Sequence, residues 1–158
     1  MPELVAAVVL GQSMRARELT AVRVRAAMAL REVLEGVDWI TLQKEHEGVQ
    51  SSYWALGATL ERPDIQWRDF AQRFREFGGK GIYAAWALGY QEPAFQNLSL
   101  LGREQFLTRP ARELFSAGTA PVAESLQKKI FAFRTNEWSP RGLRVQTEAL
   151  KQTIRSFS

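Results

Sequence analysis

The stretch WRDFAQRFREFGGKGIYAAW, residues 67–86, holds the change from helix to strand around which the rest of the chain is arranged. Its apolar residues recur at intervals of three and four, which predicts a helix with an aromatic stripe facing a core. These residues are Trp67, Phe70, Ala71, Phe74 and Phe77. Gly78 follows and ends the helix, because glycine tolerates the left-handed conformation of a C-cap. Residues 81–86 are apolar and β-compatible, so a strand follows the glycine turn.

N-terminal to this stretch, the pattern predicts two helices and two strands. Residues 3–11 are apolar on most sides, which favours a buried helix. Ser13 can cap a second helix that continues to about Leu34 and stops at Gly36. Residues 37–42 alternate and are rich in β-formers. Residues 51–60 read as a second strand, and their apolar centre favours an inner position in a sheet.

The C-terminal half continues with shorter elements after a loop-rich stretch over residues 89–118. Pro121 suits the first turn of a helix that runs to about Lys129, and residues 130–133 form a short strand. Ser139 caps the last helix, which Pro140 opens. This order predicts an α/β fold of the α+β kind, a small layer of about four short strands covered by helices.

Length and composition predict one domain over residues 1–158, with helices over 1–35 entering it and a sheet-and-helix body over 36–158. The 158 residues include no cysteine, which excludes disulfides and thiolate chemistry and favours a cytoplasmic location. No apolar run reaches the ~20 residues that cross a bilayer. The net charge is +4, but basic and acidic residues are interleaved, which favours solvated helix faces over nucleic-acid binding.

Two possible chemical motifs lack the neighbouring residues that they would require. Lys80 follows a glycine pair, yet a phosphate loop would need Ser or Thr after the lysine, and residue 81 is glycine. His46 is the only histidine and lies between two glutamates in a polar loop. Because a metal site needs three or four converging ligands, we expect a solvated surface histidine and no metal site.

The densest cluster of polar and aromatic side chains comprises Tyr83, Trp86, Tyr90 and Glu92. Aromatic residues with polar tips can wall a sugar or nucleotide site. The same spacing is equally typical of a core-and-turn cluster shaped by glycine and proline. The pair Tyr53 and Trp54 is similar, since one side chain is expected to face the core and the other the opposite surface.

Several stretches resemble, in order and spacing, the sugar aminotransferases of the DegT/DnrJ/StrS type. The N-terminal stretch is similar to that family's M-x-E-x-x-A-A-x-x-x-x-Q helix through Met1, Glu3, Ala6, Ala7 and Gln12. SSYWALGATL resembles its inner strand, and residues 67–86 resemble its helix, glycine stop and strand. GTAPVAESLQKKIFAF resembles its late C-P-x-A-E-x-L helix and strand, with Ala120 in the cysteine's place. The resemblance covers essentially the whole chain.

The resemblance implies the C-terminal small domain of a pyridoxal-phosphate enzyme, with the fold seen in aminotransferases of the aspartate aminotransferase type. The parent would transfer an amino group to a keto-sugar or its nucleotide conjugate and would act as a homodimer. The large domain that binds the cofactor is expected to be absent here, so this chain would hold no catalytic or cofactor-binding residue. Tyr83, Trp86, Tyr90 and Glu92 would bind substrate at the mouth of the cleft.

One departure from the family pattern keeps another interpretation open. Many members of that family carry an arginine and a histidine-bearing stretch after the Gly-Ile pair, whereas this chain has YAAW there. A stand-alone binding or interaction domain on the same scaffold is the alternative. It is favoured if residues 3–11 expose no apolar surface.

Overall fold

The computed structural model describes residues 2–84, 87–96 and 111–158, and its centre is a four-stranded antiparallel sheet with the strand order β1-β2-β4-β3. The strands are β1 (Ile40–Leu42), β2 (Ala55–Leu60), β3 (Ile82–Ala84) and β4 (Ile130–Arg134). The helices are α1 (Glu3–Leu34), α2 (Trp67–Glu76), α3 (Pro93–Gln96), α4 (Ala111–Leu114), α5 (Pro121–Gln127) and α6 (Pro140–Arg155), with a 3₁₀ turn over Gly89–Gln91. The predicted α+β architecture of about four short strands with helices is confirmed.

The register of the two inner strands separates the sheet into a core face and an opposite face. Leu56 lies opposite Phe133, and Ala58 lies opposite Phe131. All four side chains are buried. Because side chains alternate along a strand, the residues between them point to the other side of the sheet. The predicted inner position of the strand within 51–60 is confirmed, since β2 pairs with both β1 and β4.

Helices α1, α2 and α6 supply the rest of the core. The buried residues of α2 are Phe70, Ala71 and Phe74, which confirms the predicted aromatic stripe. The ring of Phe70 lies 5.3 Å from that of Phe131, and the ring of Phe74 lies 6.0 Å from that of Phe133. These tilted and edge-on contacts add to the gain from burying apolar area. Ala27 and Leu30 of α1 and Leu150 of α6 complete the cluster.

The first helix differs from prediction in two ways. Residues 3–34 form one continuous helix, so Ser13 lies inside it and caps nothing. The expectation that residues 3–11 are buried is wrong for this chain, because Leu4 is 78% and Val8 59% exposed. No proline interrupts the segment, and Gly11 alone costs only about 1 kcal/mol, too little to end a helix that extends on both sides.

The glycine turn between α2 and β3 forms as predicted. Gly78 has φ +89°, the left-handed conformation of a helix C-cap, and its amide donates to the Arg75 carbonyl. A Cβ on Gly79 would lie 2.5 Å from ring atoms of Phe74. Lys80 has an exposed side chain, and its backbone N–H donates to Gln146 Oε1 at 2.9 Å. The glycine pair therefore serves packing and chain reversal.

The C-terminal half contains more helix than predicted at its start. Short helical turns lie at Gly89–Gln91, Pro93–Gln96 and Ala111–Leu114, inside the stretch predicted to be loop-rich. The predicted helix at Pro121 is confirmed over Pro121–Gln127. The cap of the last helix is also confirmed, since Ser139 Oγ accepts a hydrogen bond from the Gly142 amide at 2.9 Å. Among the described helices, none combines the length and the hydropathy that a membrane crossing requires.

Candidate functional site

A groove lies at the end of the sheet where β2 begins and β4 ends, and it contains one of the predicted site residues. It has a volume of about 300 Å³ and is lined by Arg23, Trp54, Tyr83, Arg134 and Asn136. We call it the Tyr83 groove. Its lining includes two guanidinium groups and two aromatic rings but no carboxylate, so its electrostatic character is cationic.

The backbone at Tyr53 sets the position of Trp54. Tyr53 has φ +47°, which is unusual for a bulky residue and costs on the order of 1–3 kcal/mol. Its ring is buried with 2% exposure, whereas Trp54 is 65% exposed. The buried Thr135 hydroxyl donates to the Tyr53 carbonyl, and the Trp54 carbonyl lies 3.2 Å away from it. The prediction that one of these aromatics faces the core and the other the surface is confirmed.

The hydroxyl of Tyr53 also lies in a hydrogen bond, to the carboxylate of Glu45. Burial raises the pKa of the Tyr53 hydroxyl, and the bond to Glu45 raises it further, while the nearby Arg31 guanidinium acts in the opposite direction. The phenol therefore stays protonated and donates to Glu45. The carbonyl and the hydroxyl of Tyr53 are thus both hydrogen-bonded, and these bonds stabilise the strained backbone.

The two arginines of the groove have different surroundings. Arg23, on α1, donates from one guanidinium nitrogen to the Trp54 carbonyl at 3.0 Å. Arg134, at the end of β4, lies over Gly81, where an added Cβ would come within 2.7 Å of the Arg134 Cβ and 3.1 Å of its Nε. Gly81 has φ +75°. Glycine is therefore required at this position both by the backbone conformation and by the arginine above it.

Tyr83 and Asn136 supply the polar groups of the groove. The Tyr83 ring meets the Trp54 ring edge-on, with centroids 6.5 Å apart and planes at 68°. Tyr83 is half-buried on β3, where it lies opposite Ala132. The side-chain oxygen of Asn136 is buried and accepts no hydrogen bond from the described residues. An unpaired buried acceptor costs free energy.

The other predicted site residues lie elsewhere. Tyr90 is in the 3₁₀ turn, where its hydroxyl donates to Glu124 Oε1 at 2.5 Å. Glu92 is exposed, and its carbonyl accepts the amide of Phe95 at 2.9 Å. Trp86 lies outside the described residues. Neither Tyr90 nor Glu92 lines the Tyr83 groove, so the structure does not bring these predicted residues together at that groove.

Glu124 ties the 3₁₀ turn to the start of α5. Besides Tyr90, its Oε1 accepts the amide of Gly118 at 2.8 Å and that of Ala120 at 3.3 Å. The hydrogen bond from Tyr90 is the main cause that lowers the pKa of Glu124, and the same bond raises the pKa of Tyr90. This arrangement holds a loop in place and accounts for Tyr90 without any ligand.

Larger grooves lie beside the helices. One of about 540 Å³ on α1 is lined by Arg17 and Arg25 without a carboxylate, but it has no aromatic ring. Others have mixed charge. One of about 570 Å³ between α1 and α6 carries Arg25, Arg144 and Lys151 together with Glu32 and Glu137. Opposite charges within one solvent-filled cleft neutralise each other, which gives this groove less selectivity for a charged ligand. Within the described ranges, no three histidine or acidic side chains converge as metal ligands. His46 is exposed, as predicted.

The lysines do not form a pyridoxal phosphate site. A lysine that forms a Schiff base is activated by desolvation or by a neighbouring cation. Lys44, Lys80, Lys128 and Lys151 are exposed, and Lys129 forms a half-exposed ion pair with Glu61 at 3.2 Å. The lining of the Tyr83 groove includes no lysine. None of the five lysines is buried, so the described residues supply no desolvated lysine for this cofactor.

Comparison with solved structures identifies the kind of architecture. One similar structure is the crystal structure of 3-amino-5-hydroxybenzoic acid (AHBA) synthase, with a TM-score of 0.66 and 17% sequence identity. The match covers 96% of this chain and 38% of the synthase chain. No protein-family model and no curated protein sequence matches. The likeness establishes a shared fold.

Sequence reasoning missed Arg23, Arg134 and Asn136 among the five residues of the Tyr83 groove, and it singled out Trp54 only as one of an aromatic pair. Arg23 read as one of several arginines on a solvated helix face, and nothing in the spacing connects it with residues 54 and 134. Arg134 and Asn136 follow an apolar strand and carry no motif. The pairing of β2, β3 and β4 brings the strand residues together, and the packing of α1 against β2 adds Arg23.

Proposed function

We propose that this chain is the small domain of a pyridoxal-phosphate-dependent aminotransferase that acts on a keto-sugar or a nucleotide-linked keto-sugar. The observation that carries the proposal is the fold shared with AHBA synthase over 96% of this chain but only 38% of that one. The order of motifs resembling the DegT/DnrJ/StrS aminotransferases supports the same assignment independently. In this proposal the parent enzyme works as a homodimer in the cytoplasm.

The exposed apolar surface of α1 supports a domain over a stand-alone binding module. Leu4, Val5, Val8, Val9 and Leu10 are all exposed, and they lie on every side of the helix. A helix that is apolar all round belongs inside a larger core, because a single partner helix would cover only one side. We infer that the large domain of the parent packs around residues 3–14.

The role of this chain would be to cover the substrate. Tyr83, Trp86, Tyr90 and Glu92 remain the proposed substrate-facing residues, and Tyr83 has the most suitable surroundings among the three that the structure describes. Pyridoxal phosphate and the lysine that carries it would belong to the large domain. This chain would contribute binding and the exclusion of water, and no covalent step.

Incubation of the purified chain with pyridoxal phosphate tests the proposal that the large domain, and not this chain, binds the cofactor. We expect no saturable aldimine absorbance, and borohydride reduction should label the exposed lysines weakly and without preference. A saturable aldimine trapped at one lysine would show that the chain holds the cofactor itself, and the proposed division would be wrong. Labelling of the five lysines is read by peptide mass spectrometry.

A further inference from the structure

We propose that the Tyr83 groove binds a sugar or cyclic polyol that carries an oxyanion, either a phosphate or a carboxylate. The inference rests on the proposed function, because Tyr83 is one of its predicted substrate residues. It adds residues that would recognise the ligand, Arg23 and Arg134 for the anion and Trp54 for the ring, and it assigns the Tyr83 hydroxyl to a ligand hydroxyl. The whole groove lies within this chain.

The charge of the groove selects an anion. Neither Arg23 nor Arg134 has a carboxylate within salt-bridge distance in the part of the chain that the structure describes, whereas Arg15, Arg62 and Arg73 each have one. One guanidinium nitrogen of Arg23 donates to the Trp54 carbonyl, and its other N–H groups remain available as donors. A guanidinium presents a planar set of N–H donors that matches phosphate and carboxylate oxygens. Two such groups without a counter-charge are therefore suited to one oxyanion.

The aromatic residues of the groove select a ring. Trp54 is 65% exposed at the groove, and its position depends on the strained and buried Tyr53. Strain that is held in place by several contacts is typical of functional positions. The exposed indole face can pack on the apolar face of a sugar, and the Tyr83 hydroxyl makes no hydrogen bond to the described residues.

The Tyr83 hydroxyl supplies a polar group for the ligand. It makes no hydrogen bond to the described residues, so it can donate to or accept from a ligand hydroxyl. The combination of two cations, an aromatic face and an unpaired hydroxyl therefore matches a hydroxylated ring better than a free anion.

Isothermal titration of the 158-residue chain with four probes tests the inference without pyridoxal phosphate. The probes are glucose 1-phosphate, glucuronate, glucose and inorganic phosphate. We expect glucose 1-phosphate or glucuronate to bind at one site and more tightly than both glucose and phosphate. Which of the two binds more tightly identifies the anion as phosphate or carboxylate. Binding should weaken as salt is added.

Variants locate the site. Arg134→Gln and Arg23→Gln should each weaken binding by about tenfold or more, the loss of a charge-assisted hydrogen bond. Trp54→Leu should also weaken it, while Arg15→Gln, which lies outside the groove, should leave it unchanged. Circular dichroism checks that each variant folds, and Arg134→Lys, which keeps the charge, should retain more affinity than Arg134→Gln.

Three results would overturn the inference. These are the absence of binding by any probe, equal affinity for phosphate and glucose 1-phosphate, and affinities that the groove variants leave unchanged. Because no cofactor is used, such a failure would refute the groove and leave the proposed aminotransferase role standing. A cofactor-binding lysine within this chain would refute that role and leave the groove standing.

Discussion

At the scale of single residues, the carboxylate of Glu124 shows how one side chain stabilises a loop. It accepts hydrogen bonds from the Tyr90 hydroxyl and from two backbone amides. Since its pKa is lowered in the folded chain, its contribution to stability is present above its ordinary pKa of 4.5 and is lost as pH falls through the folded value. Tyr90 has a raised pKa, so its contribution is present below 10.0 and is lost as pH rises through the folded value.

Replacing Tyr90 by Phe should move the pKa of Glu124 upward, toward its ordinary value. The hydrogen bond from Tyr90 is the largest cause of the lowering, but the amides of Gly118 and Ala120 remain, so the return should be incomplete. A titration of the Glu124 carboxyl carbon by nuclear magnetic resonance measures the change. Tyr83→Phe is the matched control and should leave Glu124 unchanged. An identical pKa in wild type and Tyr90→Phe would refute the hydrogen bond.

The glycine at position 79 offers a second test at this scale. An added Cβ would lie within 2.6 Å of three ring atoms of Phe74, which is buried and cannot move aside without disturbing the core. Gly79→Ala should therefore lower the free energy of unfolding by about 1–3 kcal/mol, as overpacking does. Urea denaturation measures this loss.

Gly89→Ala is the control for that experiment. No atom of the described residues lies within 4 Å of a Cβ at Gly89, so the effect of the substitution should stay within about 0.5 kcal/mol. Equal losses in the two variants would mean that Gly79 matters for chain flexibility and that its contact with Phe74 does not.

At the scale of elements, the two halves of α1 have different surroundings. Ala27, Leu30 and Leu34 belong to the buried cluster, whereas Leu4, Val8 and their neighbours are exposed. The helix therefore depends on its C-terminal half for packing in this chain, while its N-terminal half is exposed and has helical hydrogen bonds and the Arg15–Glu18 ion pair. Substitutions in the two halves should have different effects.

Val8→Glu should leave the free energy of unfolding within about 0.5 kcal/mol of the wild type, because Val8 is 59% exposed. It should also reduce self-association at high protein concentration, since a charge breaks an exposed apolar surface. Leu30→Ala, at a position with 2% exposure, should cost about 2–5 kcal/mol. Urea denaturation and sedimentation velocity give the two readouts. A large loss of stability in Val8→Glu would place residue 8 in the core of this chain.

The sequence predicted those elements whose signals are local. The stripe of Phe70 and Phe74, the stop at Gly78 and the cap at Ser139 depend on near neighbours, and all three form. The prediction that residues 3–11 are buried was wrong. An apolar composition indicates that a helix favours burial, but it does not show that this chain contains the residues that would cover it. The Tyr83 groove could not be predicted, since antiparallel pairing of strands distant in sequence creates it.

At the scale of the whole molecule, the two faces of the sheet have different surroundings. Its core face, with Phe131 and Phe133, carries the packing that makes the chain one folded body. Its other side leads to the groove with Arg23 and Arg134, and α1 extends beyond the body with an uncovered apolar surface. In the proposed aminotransferase, the uncovered surface of α1 would face the large domain and the groove would face the substrate.

The most direct test of this account is the position of the pyridoxyl group in the native protein. The protein is captured from its source cells with an antibody against residues 36–158, reduced with borohydride and mapped by mass spectrometry. We expect a pyridoxyl-lysine in a peptide that is not part of the 158 residues but that belongs to the same captured protein. A captured protein without any pyridoxyl-lysine, or with one at Lys44, Lys80, Lys128, Lys129 or Lys151, would contradict the account.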